Sequence, residues 1–331
     1  MCPTATVPPW RGGNTLEAPG DSPRRVCAFR APLFTGRYGI SVSAVSSAVE
    51  LRAPGPRGIP PLFARLIDDA SLFHPHNAAV PEAVDSHLRA RAGEYSGMLG
   101  PLLCQASRLA ELITELAKAK PDRPVPLSLV CDNGLGGVPK ALSIIEDRQE
   151  LLALERVEMP APSDVDDVWL ERVSEFVPED VVRVVEPRRG EGWLDGVRRV
   201  AEHGCSPKLR AGGQTYESFP GVDVVADFLT VVSTLDVPFK TTSGMPRAVR
   251  HTDPETGFPH HGFLNLLVAT ARSLSGQDIH EALASTDSAA LAKEARSLSK
   301  EAANAVRSVF GTYGSSSLDG PVTELNELEL L

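Results

Sequence analysis

The chain has few cysteines and no long apolar run. Its five cysteines among 331 residues are far apart, and no C-x-x-C pair is present. This spacing gives no sign of a zinc knuckle or a redox dithiol and is typical of reduced thiols. No apolar stretch reaches the roughly eighteen residues of a membrane span, and the N-terminus lacks the layout of a secretory signal. We therefore expect a cytoplasmic protein without a membrane partner.

Positive charge is scarce outside the N-terminal region. The chain has a net charge of −10, although residues 1–60 hold seven arginines, no lysine and three acids. The remainder is therefore more acidic than the total suggests. Because an acidic body repels phosphate backbones, we expect no nucleic-acid partner. A monomer and a homodimer are equally compatible with this composition.

Residues 1–60 contain nine prolines and no sustained apolar period. This composition predicts a disordered Pro- and Arg-rich extension. Its low acid content is compatible with an organellar transit peptide, and the alternatives are a plain extension or a start codon placed too early. We expect one folded domain over 61–331.

From residue 61 onward, short aliphatic or β-branched runs alternate with amphipathic helical segments. The predicted strands are 65–73, 101–107, 127–134, 151–160, 181–187, 206–213 and 237–244. A long polar loop and an Ala-rich helical region at about 278–307 follow, and "RSVFGTYGSSSL" and "GPVTELNELELL" predict an eighth strand and helix.

Eight strand–helix units over this length predict a (β/α)₈ TIM-type barrel with parallel strands. The alternative is a doubly wound open sheet, for which no G-x-G-x-x-G fingerprint is present. In barrels, functional residues lie at the carboxyl ends of the strands and in the loops that follow.

The sixth and seventh strands carry the strongest candidate residues. Lys208 and Arg210 are two residues apart and so lie on the same face of their strand. Cations in a barrel interior need an anion or carboxylates to balance them, so a small phosphorylated or carboxylate metabolite is the expected partner. Pairing with acids of neighbouring strands as scaffolding is the alternative. Further candidate contacts to the anion are Gly212 and Gly213, with open backbone amides, and Thr242 and Ser243.

Lys240 lies in the seventh strand within "VPFKTTSG". A desolvated strand lysine near a second cation has a lowered pKa, which prepares it to form a Schiff base or act as a base. The segment "FKTTSG" resembles the Schiff-base strand of class I deoxyribose-phosphate aldolases, whose next strand supplies a helper lysine before a double glycine. Here that order is reversed. The resemblance implies a lyase with Lys240 and Lys208 as catalytic residues.

Two loops add further candidates. The loop after the seventh strand offers Arg250 and Asn265 as anion contacts and His251 or His261 for proton transfer. Its alternative reading is a solvated loop. Barrels commonly bind phosphate near the loops after strands seven and eight, which makes Ser315 and Ser316 candidate contacts.

Acids lie near the ends of three successive predicted strands, namely Asp132, Glu155 or Glu158, and Glu186, and we take Asp132, Glu155 and Glu186 as the candidate ligands. Oxygen ligands from adjacent strand ends suit Mg²⁺. Their placement resembles the metal ligands of enolase-superfamily barrels. However, the Lys-x-Lys of that superfamily's second strand is absent, and its capping domain has no counterpart. The acids can equally serve to neutralise the lysines. Apart from Mg²⁺, no cofactor is expected.

Together, "IDDASLF", "LRAGG", "PFKTTSG", "VRHTDPETG" and "HGFLNLL" resemble a bacterial family of uncharacterised proteins over about residues 61–331. This resemblance implies a single domain but no reaction. The leading hypothesis is a lysine-assisted lyase or isomerase. The alternatives are a Mg²⁺-dependent enolase-type enzyme and a non-catalytic barrel that binds a metabolite or a protein.

Overall fold

Eight parallel strands close into a barrel, which confirms the predicted fold class. The structure is a computed structural model and describes residues 58–163 and 165–331. The predicted extension therefore lies outside the described residues except for its last three positions. Around the barrel the strands follow chain order, so each strand–helix unit lies beside the next.

Every predicted strand is present, with somewhat different ends. The barrel strands are β1 (Ile67–Asp69), β2 (Leu99–Gln105), β3 (Val125–Val130), β4 (Leu152–Pro160), β5 (Val182–Glu186), β6 (Ser206–Arg210), β7 (Phe239–Thr242) and β10 (Phe310–Ser315). β10 pairs with both β7 and β1, which closes the barrel. Two further strands, β8 (His251–Thr252) and β9 (Pro259–His260), form an antiparallel ribbon in the loop after β7.

The helices lie between the strands in sequence. They are α1 (Val80–Ala92), α2 (Leu109–Ala119), α3 (Val138–Glu146), α4 (Asp167–Phe176), α5 (Trp193–Glu202), α6 (Val222–Leu235), α7 (Phe263–Leu274), α8 (His280–Ala284), α9 (Ser288–Ser297), α10 (Lys300–Val309) and α11 (Asp319–Glu327). The predicted Ala-rich helical region is thus three helices. Side-chain caps start the last two, because Asp287 accepts from the amide of Ala290 and Ser299 from that of Ala302.

The apolar core lies between the barrel wall and the helices. In β6 and β7, Leu209 and Phe239 belong to the same buried cluster as α6 and α7. Phe239 stacks on Phe310 of β10 at 4.9 Å and meets Phe228 of α6 edge-on. Consecutive residues of a strand face opposite sides of the sheet. Since Leu209 and Phe239 face the helices, their strand neighbours Lys208, Arg210 and Lys240 face the barrel interior.

The segment Tyr216–Leu235 is long and apolar enough, by length and composition, to cross a membrane. It contains α6, whose Val225, Phe228 and Leu229 are fully buried in the core. A buried core helix of a barrel can have the same length and apolar composition as a membrane-spanning helix. The barrel fold itself is typical of soluble proteins. The cytoplasmic location stays a prediction.

The loops after β6 and β7 touch through glycines. Gly244 has a left-handed φ of +70°, and a Cβ there would lie 2.3 Å from the carbonyl oxygen of Ala211. A Cβ on Gly212 would lie 2.5 Å from the Cα of Gly244. The double glycine after β6 therefore permits close backbone packing between these two loops.

We expect Gly244→Ala to destabilise the fold more than a matched change at Gly276. Gly276 has a similar φ of +68° but open space around its Cα. Gly276→Ala should cost about 1 to 2 kcal/mol for the left-handed backbone alone. Gly244→Ala adds a backbone clash and should cost about 3 kcal/mol or more in urea unfolding. Equal losses in the two variants would contradict the packing argument.

Candidate functional site

Strand alternation collects charged side chains inside the barrel. Lys208 of β6 and Lys240 of β7 are paired directly in the sheet register. Only 7% and 3% of their surfaces are exposed. Asp68 of β1 and Glu158 of β4 are fully buried opposite them. Buried charges of this kind must be paired, and here they pair with one another.

Glu158 bridges the two lysines. Lys240 donates from Nζ to Glu158 Oε1 at 2.6 Å, and Lys208 donates from Nζ to Glu158 Oε2 at 3.1 Å. Lys240 also donates to Asp68. Lys208 lies 3.0 Å from Glu186 Oε2 of β5. Each ammonium group therefore lies between two carboxylates.

Neutral and cationic neighbours complete the network. Ser128 of β3 donates to Glu158 at 2.6 Å, and Thr312 of β10 donates to Asp68 at 2.8 Å. Arg156 of β4 also contacts Asp68, at 2.7 Å. A Cβ on Gly100 of β2 would lie 2.3 Å from Asp68 Oδ1, so glycine leaves room for this carboxylate. We call Asp68, Arg156, Glu158, Glu186, Lys208, Arg210 and Lys240 the interior network.

The surroundings favour the charged forms. Burial alone would raise the pKa of Glu158, but Lys240 and Lys208 outweigh it and hold this pKa far below its usual range. Burial alone would lower the pKa of Lys208, but Glu158 and Glu186 outweigh it and raise this pKa. At Lys208 the bridging carboxylates therefore outweigh both burial and the neighbouring cation, and Lys208 is an ammonium ion.

At the carboxyl ends of β5 and β6, Arg210 binds Glu186 in a bidentate pair, with Nε to Oε1 at 2.6 Å and Nη2 to Oε2 at 3.2 Å. Its side chain is 48% exposed. Arg189, in the loop after β5, donates to the carbonyl oxygens of Glu217 and Ser218. Burial and the nearby Arg210 lower the pKa of Arg189. This end of the interior network is therefore cationic.

One further cation, Arg307, lies near Arg156 of the interior network. Arg307 of α10 donates to the carbonyl oxygens of Phe310 and Ala64. Burial, together with the nearby Arg156, lowers the pKa of Arg307 to about 9. The interior network itself contains four cations and three carboxylates. The barrel interior thus carries an excess of positive charge.

The three acids expected to bind Mg²⁺ are not brought together. Asp132 accepts from the hydroxyl and amide of Ser107, Glu155 pairs with Arg65, and Glu186 pairs with Lys208 and Arg210. Within residues 58–163 and 165–331, no three His, Cys, Asp or Glu side chains are grouped to hold a metal ion. The geometry does not support the enolase-type reading.

The reason for the position of Glu155 is a bulge. Leu127 of β3 pairs with Leu154, whereas Ser128 pairs with Arg156, so one residue of β4 is skipped. This shift turns Arg156 and Glu158 into the barrel and leaves Glu155 for Arg65. Nothing in the sequence of β4 marks this choice.

The histidines of the loop after β7 bond within the loops. His261 is fully buried, with Nε2 2.7 Å from the carbonyl oxygen of Pro220 and Nδ1 3.2 Å from Arg250. His251 contacts the carbonyl oxygen of Val249 and stacks on His260 of β9 at 5.1 Å. Because both ring nitrogens of His261 have protein partners, this residue positions Arg250 and is poorly placed to transfer protons.

Asn265 is also engaged by the protein. It accepts from the amide of Arg250 and donates to the carbonyl oxygens of Ala282 and Ser285. Its side chain is fully buried. Asn265 therefore fixes the loop after β7 to α8, and this use of its amide is at odds with the expected contact to a ligand.

The remaining candidates lie in two places. Thr242 faces the interior beside Arg210, and Ser243 follows it with a left-handed φ of +61°. Ser315 and Ser316 line a cavity of about 460 Å³ beside α1 and α11, together with Asp69 and Asp319. The Ser315 hydroxyl donates to the carbonyl oxygen of Ser317. These serines lie among acids and internal hydrogen bonds.

Comparison with family models, with curated proteins and with solved structures finds no match to this chain. The resemblance to a bacterial family and to the two barrel superfamilies is therefore not confirmed.

We expect removal of one lysine to destabilise the protein strongly. Lys240→Met leaves Asp68 and Glu158 without a shared partner, which should cost about 3 to 5 kcal/mol in urea unfolding. Lys118→Met, which breaks an exposed pair with Glu115, should cost less than about 1 kcal/mol. Similar losses in Lys240→Met and Lys118→Met would contradict the network.

We also expect His261 to make stability depend on pH. Burial lowers the pKa of His261 from its ordinary 6.5 to about 4. Between these values the unfolded chain binds a proton that the folded chain does not, so stability falls as pH falls. The free energy of unfolding should drop by about 2 to 3 kcal/mol from pH 7 to 4.5 through this group. His261→Gln should flatten that slope and His76→Gln, an exposed residue, should not. An unchanged slope in His261→Gln would contradict this assignment.

Proposed function

We propose that the protein is a barrel enzyme in which a lysine amine acts on the carbonyl group of a small anionic metabolite, as a lyase or isomerase. The observation that carries the proposal is the pair of adjacent interior lysines, each between two carboxylates. Carboxylates within hydrogen-bond reach of an amine can take and return its protons during imine chemistry.

Lys208 is the better candidate for the nucleophile. Lys208 shares Glu186 with Arg210, whose side chain is half-exposed. Lys240 instead pairs with the fully buried Asp68, which also accepts a hydrogen bond from Thr312. Lys208 is therefore on the side of the network that includes an exposed residue. In this proposal Lys240 holds Glu158 in place and supplies positive charge next to the reacting amine.

The proposed reaction starts from the minor form in which Lys208 has given a proton to Glu186, because the raised pKa of Lys208 and the lowered pKa of Glu186 both favour the ion pair. The free amine attacks the carbonyl carbon and a C–N bond forms. The former carbonyl oxygen then takes one proton from the amine nitrogen and one from Glu186, and the C–O bond breaks as water leaves. The resulting iminium ion draws electrons from an adjacent C–C or C–H bond. Because Glu158 and Glu186 raise the pKa of Lys208, the amine form becomes more abundant as pH rises.

A barrel that binds a metabolite without chemistry is the second candidate. The observation that favours it is the pairing of Lys208 and Lys240 with carboxylates of the same network. An internal network of this kind needs no substrate to balance most of its charges. Ligand binding without a trapped adduct would support this reading.

Borohydride trapping tests the proposed function. Incubation with glycerone phosphate, 4-oxopentanoate or pyruvate, followed by sodium borohydride, should leave a reduced adduct on Lys208 that peptide mass spectrometry locates. Lys208→Met should lose this adduct, while Lys140→Met, which removes an exposed lysine, should keep it. No adduct with any of the three would remove the imine mechanism, and an adduct on Lys240 alone would exchange the roles of the two lysines.

A further inference from the structure

We infer that Arg189 and Arg210 together bind the anionic group of the substrate, at the carboxyl ends of β5 and β6. The inferred substrate is a carbonyl compound that also carries a phosphate or carboxylate group. The assignment of the carbonyl end to Lys208 rests on the proposed function. The anion site rests on its own geometry.

The first observation is the free capacity of Arg210. Its Nε and Nη2 atoms bind Glu186, and 48% of its side chain remains exposed. Glu186 is shared with Lys208, so this one carboxylate faces two cations. A guanidinium group whose remaining edge faces solvent is well suited to bind an oxyanion.

The second observation is Arg189, a residue that sequence patterns did not single out. Its hydrogen bonds in the described part of the chain go to backbone carbonyl oxygens, at 3.2 Å to Glu217 and 2.6 Å to Ser218. Within the same described ranges it forms no ion pair with a carboxylate. These bonds hold its guanidinium group between the loops after β5 and β6. Arg189 thus lies near Arg210 and Glu186, while the Glu186 carboxylate is already bound by Arg210 and Lys208.

The third observation is that the cavity beside β10, α1 and α11 is unsuited to an anion. The Ser315 hydroxyl bonds to Ser317, and the Ser317 hydroxyl accepts from the amide of Asp319. Asp319 begins α11, and Asp69 and Glu94 line the same cavity. The basic residues of its lining, Arg89 and His76, already lie beside Asp85 and Glu82. Carboxylates at this position repel phosphate, so the arginines over β5 and β6 are the better site.

The spacing of the two groups on β6 bears on the substrate class. Lys208 and Arg210 are two residues apart on one strand face, and their charged groups converge on the single carboxylate of Glu186, at 3.0 Å and 2.6 Å. A compound that carries a carbonyl group and an anionic group can therefore contact both side chains, whether it is a 2-oxo acid, a longer oxo acid or a phosphorylated hydroxy-carbonyl compound.

The anion site is tested first without chemistry. Isothermal titration with inorganic phosphate should show binding to the full chain, and Arg189→Gln should weaken it about tenfold or more. Arg189→Lys should recover part of the affinity. Arg172→Gln, on the exposed side of α4, should bind as the original chain does. Equal binding by Arg189→Gln and the original chain, or no binding at 10 mM phosphate (about the weak limit for two charged contacts), would overturn the inference.

Trapping experiments then separate this inference from the proposed function. With glycerone phosphate and 4-oxopentanoate, Arg189→Gln should give about tenfold less adduct than the original chain, while Arg172→Gln should give the same yield as the original chain. The ratio between these two compounds tells phosphate from carboxylate. Phosphate binding that depends on Arg189 without any adduct would support the anion site and contradict the lysine chemistry. Equal adduct yields in Arg189→Gln and the original chain would support the lysine chemistry and contradict the anion site.

Discussion

The contact between Glu158 and the two lysines is the interaction on which the barrel interior depends. Its carboxylate receives a hydrogen bond from Lys208 on one oxygen and from Lys240 and Ser128 on the other. Without it, two ammonium ions would lie on paired positions of adjacent strands in a region closed to solvent. Such a pair is unfavourable unless a carboxylate lies between its members. The positions of Asp68, Glu186 and Arg210 all follow from completing this pairing.

A charged interior is compatible with this fold because the apolar core is elsewhere. The outward residues of the strands pack on the helices, and that layer contains most of the buried apolar side chains. The interior can then hold a polar network at the expense of stability, since buried ion pairs commonly contribute little net free energy compared with apolar packing. Cations prearranged in this way lower the cost of ordering a site around an anion.

The sequence carries enough information to predict the fold and part of the site. Alternation in "SPKLR" and "PFKTT" places Lys208, Arg210 and Lys240 on interior faces, because Leu209 and Phe239 are the residues that pack on helices. The choice between Glu155 and Glu158 depends on a bulge in β4, and a bulge has no local sequence signature here. The roles of His261 and Asn265 depend on contacts with distant loops, and the same types of residue are common in active sites. Arg189 was missed because its partners are backbone carbonyl oxygens, which any sequence supplies.

The three-residue strand β1 joins parts of the chain that are far apart in sequence. Asp68 contacts Arg156 of β4, Lys240 of β7 and Thr312 of β10, so its partners are 88 to 244 residues away. Neither half of the barrel contains a complete set of countercharges. A half-barrel formed during synthesis or after cleavage would bury unpaired charges or leave its interior hydrated. The interior network therefore makes each half of the barrel depend on the other for its countercharges.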